Sequence, residues 1–205
     1  MTKDKSLFYY GTIYNKLFDP QLAEARQITL DLISEGSSVL DIGCGTGQLC
    51  FALRKRKQCQ VVGLDLSLSM LEFARESNSY QDITFVHADA TDLAIYEDNT
   101  FDYATMLVII HELNPLQQAL ALKESLRVAK KLIVIDAVAP LPKNAGGIGI
   151  RFVEATFGRD HYQNFKNFIA CGGIQGTFNK SDLSIKVEHS SVFWRECREV
   201  MVVST

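Results

Sequence analysis

The sequence predicts an α/β chain built on a doubly wound, mostly parallel seven-stranded sheet with an antiparallel hairpin at one edge. Three observations lead there. Short apolar runs alternate with stretches of helical periodicity between residues 39 and 138, the rhythm of strands joined by crossover helices with both sheet faces covered. The first run, Val39-Leu40-Asp41-Ile42, passes directly into Gly43, Gly45 and Gly47, which is the strand, turn and helix opening of a βαβ unit. Near the end, two strand-like runs at 183–188 and 192–203 are parted around Ser190-Ser191, too closely for a parallel crossover.

The elements follow in order. Leu22, Ala25, Ile28, Leu32 and Ile33 have helical spacing, with Asp19 as N-cap, Pro20 at the first helical position and Gly36 as the stop. The strand at 39–42 then leads to a helix at 47–57 that ends in the basic cluster Arg54-Lys55-Arg56-Lys57. Strands are predicted at 60–64, 83–87, 103–109 and 132–138, with helices at 67–77 and 115–129. After Pro140 the rhythm changes: 143–149 reads as loop, and 160–170 as a helix ending at Gly172-Gly173. The glycine-rich patches are too short to be linkers, so residues 1–205 read as one domain. Within it, 1–36 form an N-terminal cap and helix, 37–138 a ligand-binding core, 139–182 a substrate-side insertion and 183–205 the terminal hairpin.

Composition narrows the function classes. A chain of 205 residues can bury roughly 70% of the surface its unfolded form exposes, so it needs no disulfide or metal to hold a core. Its 21 basic against 24 acidic side chains, a net charge of −3, give no basic footprint for nucleic acid, which is not expected as a partner. Cysteines 44, 50, 59, 171 and 197 contain no C-x-x-C pair, consistent with packed, reduced thiols and a cytoplasmic location. No apolar h-region follows the charged start, and no apolar run approaches the roughly 20 residues of a spanning helix.

Three alternate glycines behind an acidic residue, in Asp41-Ile42-Gly43-Cys44-Gly45-Thr46-Gly47, let the backbone turn sharply and let a ligand approach without Cβ interference. The plainer reading is a tight turn without a ligand. A dinucleotide fingerprint would need glycine at Gln48 or Cys50, and a P-loop would need Lys after Gly47, where Gln48 stands. Phosphate-rich ligands therefore fit poorly.

The nine residues from Val39 to Gly47 resemble motif I of the class I S-adenosylmethionine-dependent methyltransferases, whose sheet is Rossmann-like. The resemblance implies a cofactor site at Asp41, Gly43, Cys44, Gly45 and Gly47. It also implies a ribose-binding carboxylate at the end of the second strand, where Val61-Val62-Gly63-Leu64 leads to Asp65 with Leu66 beside it. Two carboxylate oxygens can accept both ribose hydroxyl protons. The competing role for Asp65 is a helix N-cap, for which Ser67 is also available. Ala88-Asp89-Ala90 resembles the family's adenine-reading pair, Asp89 accepting from the amine and the Ala90 N–H donating to the ring. Asp92 reads as structural, and Asp102 as the start of a strand. The family's usual proline-glycine-glycine turn before strand five is absent at Ser125 to Lys131, a departure remote from the cofactor.

His111, just past the fourth strand, falls over the carboxyl ends of the strands where ligands of open α/β sheets bind. It is a candidate base, or else a packed histidine that orients a loop. The aromatic strings Phe8-Tyr9-Tyr10 and Tyr14 to Phe18 resemble the segments that cap the cofactor in small methyltransferases acting on lipids, quinones and other small molecules, and Tyr14 is the candidate cofactor contact. In the insertion, His161 is a second candidate catalytic residue, whereas Phe165 and Phe168 fit a buried helical stripe.

The expected function is metal-independent, in-line methyl transfer from S-adenosylmethionine to a small-molecule or lipidic acceptor, leaving S-adenosylhomocysteine. Alignment and water exclusion supply much of the rate. Two other classes stay open: a catalytically silent cofactor-binding interaction module, and a nucleotide-cofactor oxidoreductase, which the glycine spacing disfavours. Arg54 to Lys57 offers peripheral membrane contact for a lipid acceptor, against the ordinary reading of a helix dipole complement. The sequence gives no acceptor identity and no oligomeric state.

Overall fold

The structure is a computed structural model, and it describes residues 19–205. Tyr14 and the aromatic strings around it lie outside the described residues. Seven strands form one sheet: β1 (Ser38–Ile42), β2 (Gln60–Asp65), β3 (Thr84–His87), β4 (Phe101–Leu107), β5 (Ala129–Ala137), β6 (Lys186–Phe193) and β7 (Arg198–Ser204). Their order is β3-β2-β1-β4-β5-β7-β6. The first five run parallel, while β7 pairs antiparallel with both β5 and β6. The helices are α1 (Ala23–Leu32), α2 (Gln48–Lys57), α3 (Leu68–Ser77), α4 (Pro115–Val128), α5 (Ala145–Thr156), α6 (Arg159–Cys171) and α7 (Gly173–Lys180).

Alternate strand residues face opposite layers, which is why apolar residues on both faces of the central strands are buried. Val39, Val61, Ile133 and Ile135 pack against Leu30 of α1, Leu53 of α2 and Leu71 of α3. Leu40, Ile42, Met106 and Val134 pack on the other face against Leu122 of α4, Phe168 of α6 and Phe178 of α7. Each of these side chains is fully or almost fully buried, contributing about 1.5–3 kcal/mol of burial apiece before entropy is subtracted.

Local sequence sets the helix starts. Asn114 accepts from Gln117 N (3.0 Å) while Gln117 Oε1 accepts from Asn114 N (3.2 Å), a capping box with Pro115 at the first helical position of α4. Ser67 Oγ caps α3 by accepting from Met70 N (3.5 Å). The amphipathic stripe over 160–170 is α6, and it ends at Gly172 (φ +103).

Three details differ from the sequence expectation. Residues 145–149, predicted as loop, begin α5, because Asn144 Oδ1 accepts from Gly147 N (2.9 Å) and caps a glycine-rich first turn. The edge hairpin turns at Trp194, Arg195 and Glu196, all with left-handed φ of 45 to 63°, and Ser190-Ser191 lie inside β6. No Gly, Asn or Pro marks that turn, whereas the serine pair resembles one. At the N-terminus, Asp19–Leu22 form a 3₁₀ turn, and α1 begins only at Ala23 without a side-chain cap. Among the described residues, no helix is long and apolar enough to cross a membrane.

Candidate active site

Strand β1 lies where the connections diverge, β2 and β3 to one side and β4 and β5 to the other. Such a switch point leaves a crevice beyond the carboxyl ends of the strands. A pocket opens there, lined by the turn after β1, the ends of β2 and β4, the loop after β3 and the 3₁₀ turn Ile110–Glu112. Asp41, Gly43, Cys44, Gly45, Asp65, Leu66, Asp89 and Ala90 all line it, and Gly47 closes the turn behind them.

The glycines of the turn have different reasons to be glycine. A Cβ on Gly43 would sit 2.7 Å from Ile109 Cγ2, and one on Gly47 would sit 2.9 Å from Phe85 Cζ, so both permit close packing. Gly45 has φ +53° and no atom within 4 Å of where its Cβ would be. Packing does not demand a bare backbone there, and Gly45 is one of the residues that line the pocket. Beyond it, α2 starts at Gln48 with no side-chain cap on its first turn, so N–H groups at the positive end of the helix face the pocket wall.

Asp65 stands at the centre of the arrangement. Its Oδ2 accepts from Gly45 N (2.8 Å) and its Oδ1 from Ser67 N (2.8 Å), tying the end of β2 to the glycine turn. Ser67, not Asp65, caps α3. Leu66 is 65% exposed on the rim. Asp89 Oδ1 accepts from Thr91 N (2.9 Å) and Thr91 Oγ1 (2.8 Å), a local turn that fixes the carboxylate beside Ala90.

Asp41 is buried beneath the turn. Thr105 Oγ1 donates to its Oδ1 (2.7 Å) and Cys50 Sγ to its Oδ2 (3.4 Å). Burial raises its pKa to about 6, with the Thr105 and Cys50 contacts acting in the opposite direction. The five cysteines are free thiols. Burial pushes Cys50 well above the ordinary thiol range, with Cys44 and Asp41 adding to it.

Two pocket residues carry no sequence signal of their own. Val108 lines the pocket with φ +60°, a left-handed conformation costing about 1–3 kcal/mol for a β-branched residue. It is held by donation from Val108 N to Ile135 O (2.7 Å). Glu112 is partly exposed in the pocket wall, and its backbone oxygen accepts from Asn164 Nδ2 of α6 (2.7 Å). Burial raises its carboxyl above the ordinary range, with His111 and His161 acting in the opposite direction.

The two candidate catalytic histidines come together, although neither lines the pocket. His111 is 2% exposed. Its Nδ1 lies 2.8 Å from Asp136 Oδ1 and its Nε2 3.2 Å from Glu154 Oε2. His161 Nε2 lies 2.6 Å from the same Glu154 oxygen. Burial works against charge on His111, but Asp136 and Glu154 outweigh it and hold the pKa well above the imidazole range. Burial likewise opposes ionisation of Glu154, and the two imidazoles overcome it, bringing the carboxyl to about 2. Sequence spacing gave no hint of Glu154, which is 43 residues from His111.

The basic cluster is remote from this site. Arg54 Nε donates to Asp82 (2.6 Å) and Arg56 Nη1 to Gln27 (2.7 Å), at the C-terminal end of the helix whose N-terminus faces the pocket. Ten residues of helix span about 15 Å, so these charges do not flank the pocket mouth.

Taken together, the pocket offers carboxylate acceptors at Asp65, Asp89 and Glu112, bare backbone at Gly45, an uncapped helix N-terminus and apolar walls at Met70, Ile109 and Leu113. That donor set suits S-adenosylmethionine, which presents a ribose diol, an adenine amine, a cationic sulfonium and a carboxylate.

Comparison with known proteins agrees. The Methyltransferase domain family matches residues 39–131. The demethylmenaquinone methyltransferase of Staphylococcus aureus (strain JH9) is 34% identical over 152 residues, covering 69% of this chain and 62% of that protein. The chain thus spans less than two thirds of the length of the curated relatives it matches. Among solved structures, the PH0226 protein of Pyrococcus horikoshii OT3 superposes with a TM-score of 0.72 at 21% identity, over 96% of this chain and 95% of that one. A SAM dependent methyltransferase from Aquifex aeolicus gives 0.65 at 21% identity, over 95% and 98%. These structural likenesses establish the Rossmann-like fold. With the glycine turn and the acidic strand ends, the family match places a methyltransferase domain over residues 39–131, similar to the class I S-adenosylmethionine-dependent methyltransferases.

Proposed function

We propose that this chain transfers a methyl group from S-adenosylmethionine to a small, quinone-type acceptor and releases S-adenosylhomocysteine. The observation that carries the reading is the set of carboxylates Asp65, Asp89 and Glu112. They stand at or just past the carboxyl ends of β2, β3 and β4, on either side of β1, and surround an apolar pocket over the glycine turn. The nature of the acceptor is suggested by the demethylmenaquinone methyltransferase relative. The reading takes residues 1–205 as one working unit, and the free thiols suit a reducing compartment such as the cytoplasm.

When bound, S-adenosylmethionine supplies an electrophilic methyl on a sulfonium. In this proposal Asp65 holds the ribose hydroxyls, supported by its fixed bonds to Gly45 N and Ser67 N. Asp89 and Ala90 N–H read adenine, and the first turn of α2 receives the ligand's carboxylate. Asp41 shapes the turn from below through Thr105 and Cys50, and Cys44 and Gly43 pack behind it. Glu112 offers negative charge to the cationic end of the ligand. Met70, Ile109 and Leu113 exclude water, which strengthens each polar contact. Tyr14 would cover the ligand from the N-terminal side. His111 and His161 act behind Glu112 as positioning residues, since Asn164 of the helix bearing His161 holds the Glu112 carbonyl.

The test incubates the purified chain and methyl-labelled S-adenosylmethionine with cell extract and counts label in organic, aqueous and acid-precipitable fractions. Label in the organic phase is the expected result. Label confined to the precipitate would replace the small acceptor with a macromolecule. Binding of the ligand with no labelled fraction would favour a silent binding module.

A further inference from the structure

Three side chains from three separate elements converge beside the pocket without forming part of it. His111 comes from the 3₁₀ turn after β4, Glu154 from the last turn of α5 and His161 from the first turn of α6. Their ligating atoms lie within 4.8 Å of one another. Two imidazole nitrogens and one carboxylate oxygen form a donor set that Zn²⁺ takes readily, with three protein ligands and one position left for water.

The surroundings are those of a built site. Asp136, fully buried at the end of β5, lies 2.8 Å from His111 Nδ1 and also accepts from Ala137 N (2.7 Å) and His111 N (3.3 Å). With a metal bound, a carboxylate on Nδ1 would fix the tautomer whose Nε2 lone pair faces the ion in place of the proton now directed at Glu154, and such a partner accompanies most metal-bound histidines. Phe165 and Phe168 pack against His111 at ring-centroid distances of 5.6 and 6.3 Å, and Phe157 against His161 at 5.0 Å, giving the centre an apolar shell. With both imidazoles neutral, Asp136 and Glu154 leave two negative charges in that shell, and a divalent cation balances them.

Distances agree. Zinc bonds of about 2.0–2.1 Å in a tetrahedron separate ligand atoms by about 3.3 Å. His111 Nε2 and Glu154 Oε2 are 3.2 Å apart, longer than the roughly 2.7–2.9 Å of a charge-assisted hydrogen bond. His161 Nε2, 2.6 Å from the same oxygen, sits at hydrogen-bond distance and must move outward by about 0.7 Å to share an ion with it. We propose that His111, Glu154 and His161 bind one divalent transition-metal ion, Zn²⁺ by preference, which clasps α5 and α6 to the loop that carries Glu112. The sequence spacing of these residues forms no metal motif, and the fold alone assembles them. The ion takes no part in the methyl transfer itself.

The full chain, made without an affinity tag and stripped with a chelator, is to be titrated with Zn²⁺ and with Co²⁺. The readouts are native mass spectrometry, elemental analysis and the visible bands of four-coordinate cobalt. One equivalent per chain is expected, with intense tetrahedral Co²⁺ absorption. Glu154→Gln and His161→Gln should lose the metal, while Asp136→Asn should weaken it by about 10–100-fold. His161→Gln keeps a side-chain N–H for Glu154, so it separates loss of a ligand from loss of a hydrogen bond, and circular dichroism confirms that it is folded. The proposal is overturned by no uptake in the wild type, or by uptake unchanged in His161→Gln and Glu154→Gln. Protons found by NMR on both nitrogens of His111 in metal-supplied protein would also overturn it, leaving an imidazolium bridging Asp136 and Glu154. Because S-adenosylmethionine binding is measured separately, these outcomes are independent of the proposed methyl transfer.

Discussion

Replacing Gly45 by alanine separates a ligand-facing glycine from a packing glycine. Its φ is +53° and its new Cβ would meet nothing within 4 Å. The cost in the free protein is therefore only that of placing an L-residue in the left-handed region, about 1–2 kcal/mol. For a chain of this size that is a fall in Tm of about 2–8 °C. Gly36 is the matched control: it has φ +76° and equally empty surroundings, but it precedes β1 and lies outside the pocket lining. Gly36→Ala should cost the same stability. On the proposed cofactor placement only Gly45→Ala sets a methyl against the ligand, and forcing a methyl into a filled contact costs about 1–3 kcal/mol, or about 5- to 150-fold in Kd. Calorimetric titration with S-adenosylmethionine, beside thermal melts of both variants, gives the answer. Unchanged affinity in Gly45→Ala, or equal losses of affinity in both, would refute the claim that the ligand lies over this backbone.

Other consequences follow from the same geometry. Asp65→Ala removes the acceptor of Gly45 N and Ser67 N together with the proposed ribose contacts. Charged hydrogen bonds are worth about 1.5–3 kcal/mol, so affinity measured by titration should fall at least about tenfold. Glu112→Gln should narrow the preference for cationic S-adenosylmethionine over neutral S-adenosylhomocysteine, read as the ratio of their Kd values. An unchanged ratio would remove Glu112 from the charged end of the ligand. Asp41, whose carboxyl moves from 3.8 to about 6 on folding, binds its proton more tightly in the native state. Its contribution is complete below the unfolded value and is lost as pH rises through the folded one, a total of about 3 kcal/mol. Between pH 5 and 6, wild type should thus lose about 1 kcal/mol relative to Asp41→Asn in urea unfolding. A difference independent of pH would contradict the assigned shift.

The sequence was most legible where local chemistry and tertiary structure agree. The run from Val39 to Gly47 could be read because strand, glycine turn and helix are neighbours in the chain, and the alternation of later runs implies the parallel pairing of β1 to β5 but not their order. Asp65 and Asp89, singled out by the resemblance, stand at the end of β2 and just past β3 because local sequence fixes where those strands stop. The hairpin turn was misplaced because Trp194, Arg195 and Glu196 adopt left-handed backbone with none of the usual residues. Likewise, α5 was missed because glycines at 146, 147 and 149 hid a helix that an Asn144 cap initiates. His111 and His161 were identified individually, but their meeting on Glu154 depends on how α5 and α6 pack, which no spacing along the chain encodes. Val108 took its strained conformation from the loop joining β4 to the 3₁₀ turn, and Glu112 acquired its place in the pocket wall from Asn164.

The most direct measurement supplies the purified chain with S-adenosylmethionine bearing a deuterated methyl group and with reduced demethylmenaquinone. The extracted acceptor is then read by mass spectrometry. The expected result is an acceptor that has gained one deuterated methyl, with an equal amount of S-adenosylhomocysteine formed and both lost in Asp65→Ala. Tight binding of S-adenosylmethionine with an unlabelled acceptor would contradict the quinone assignment, and failure to bind S-adenosylmethionine at all would contradict the site.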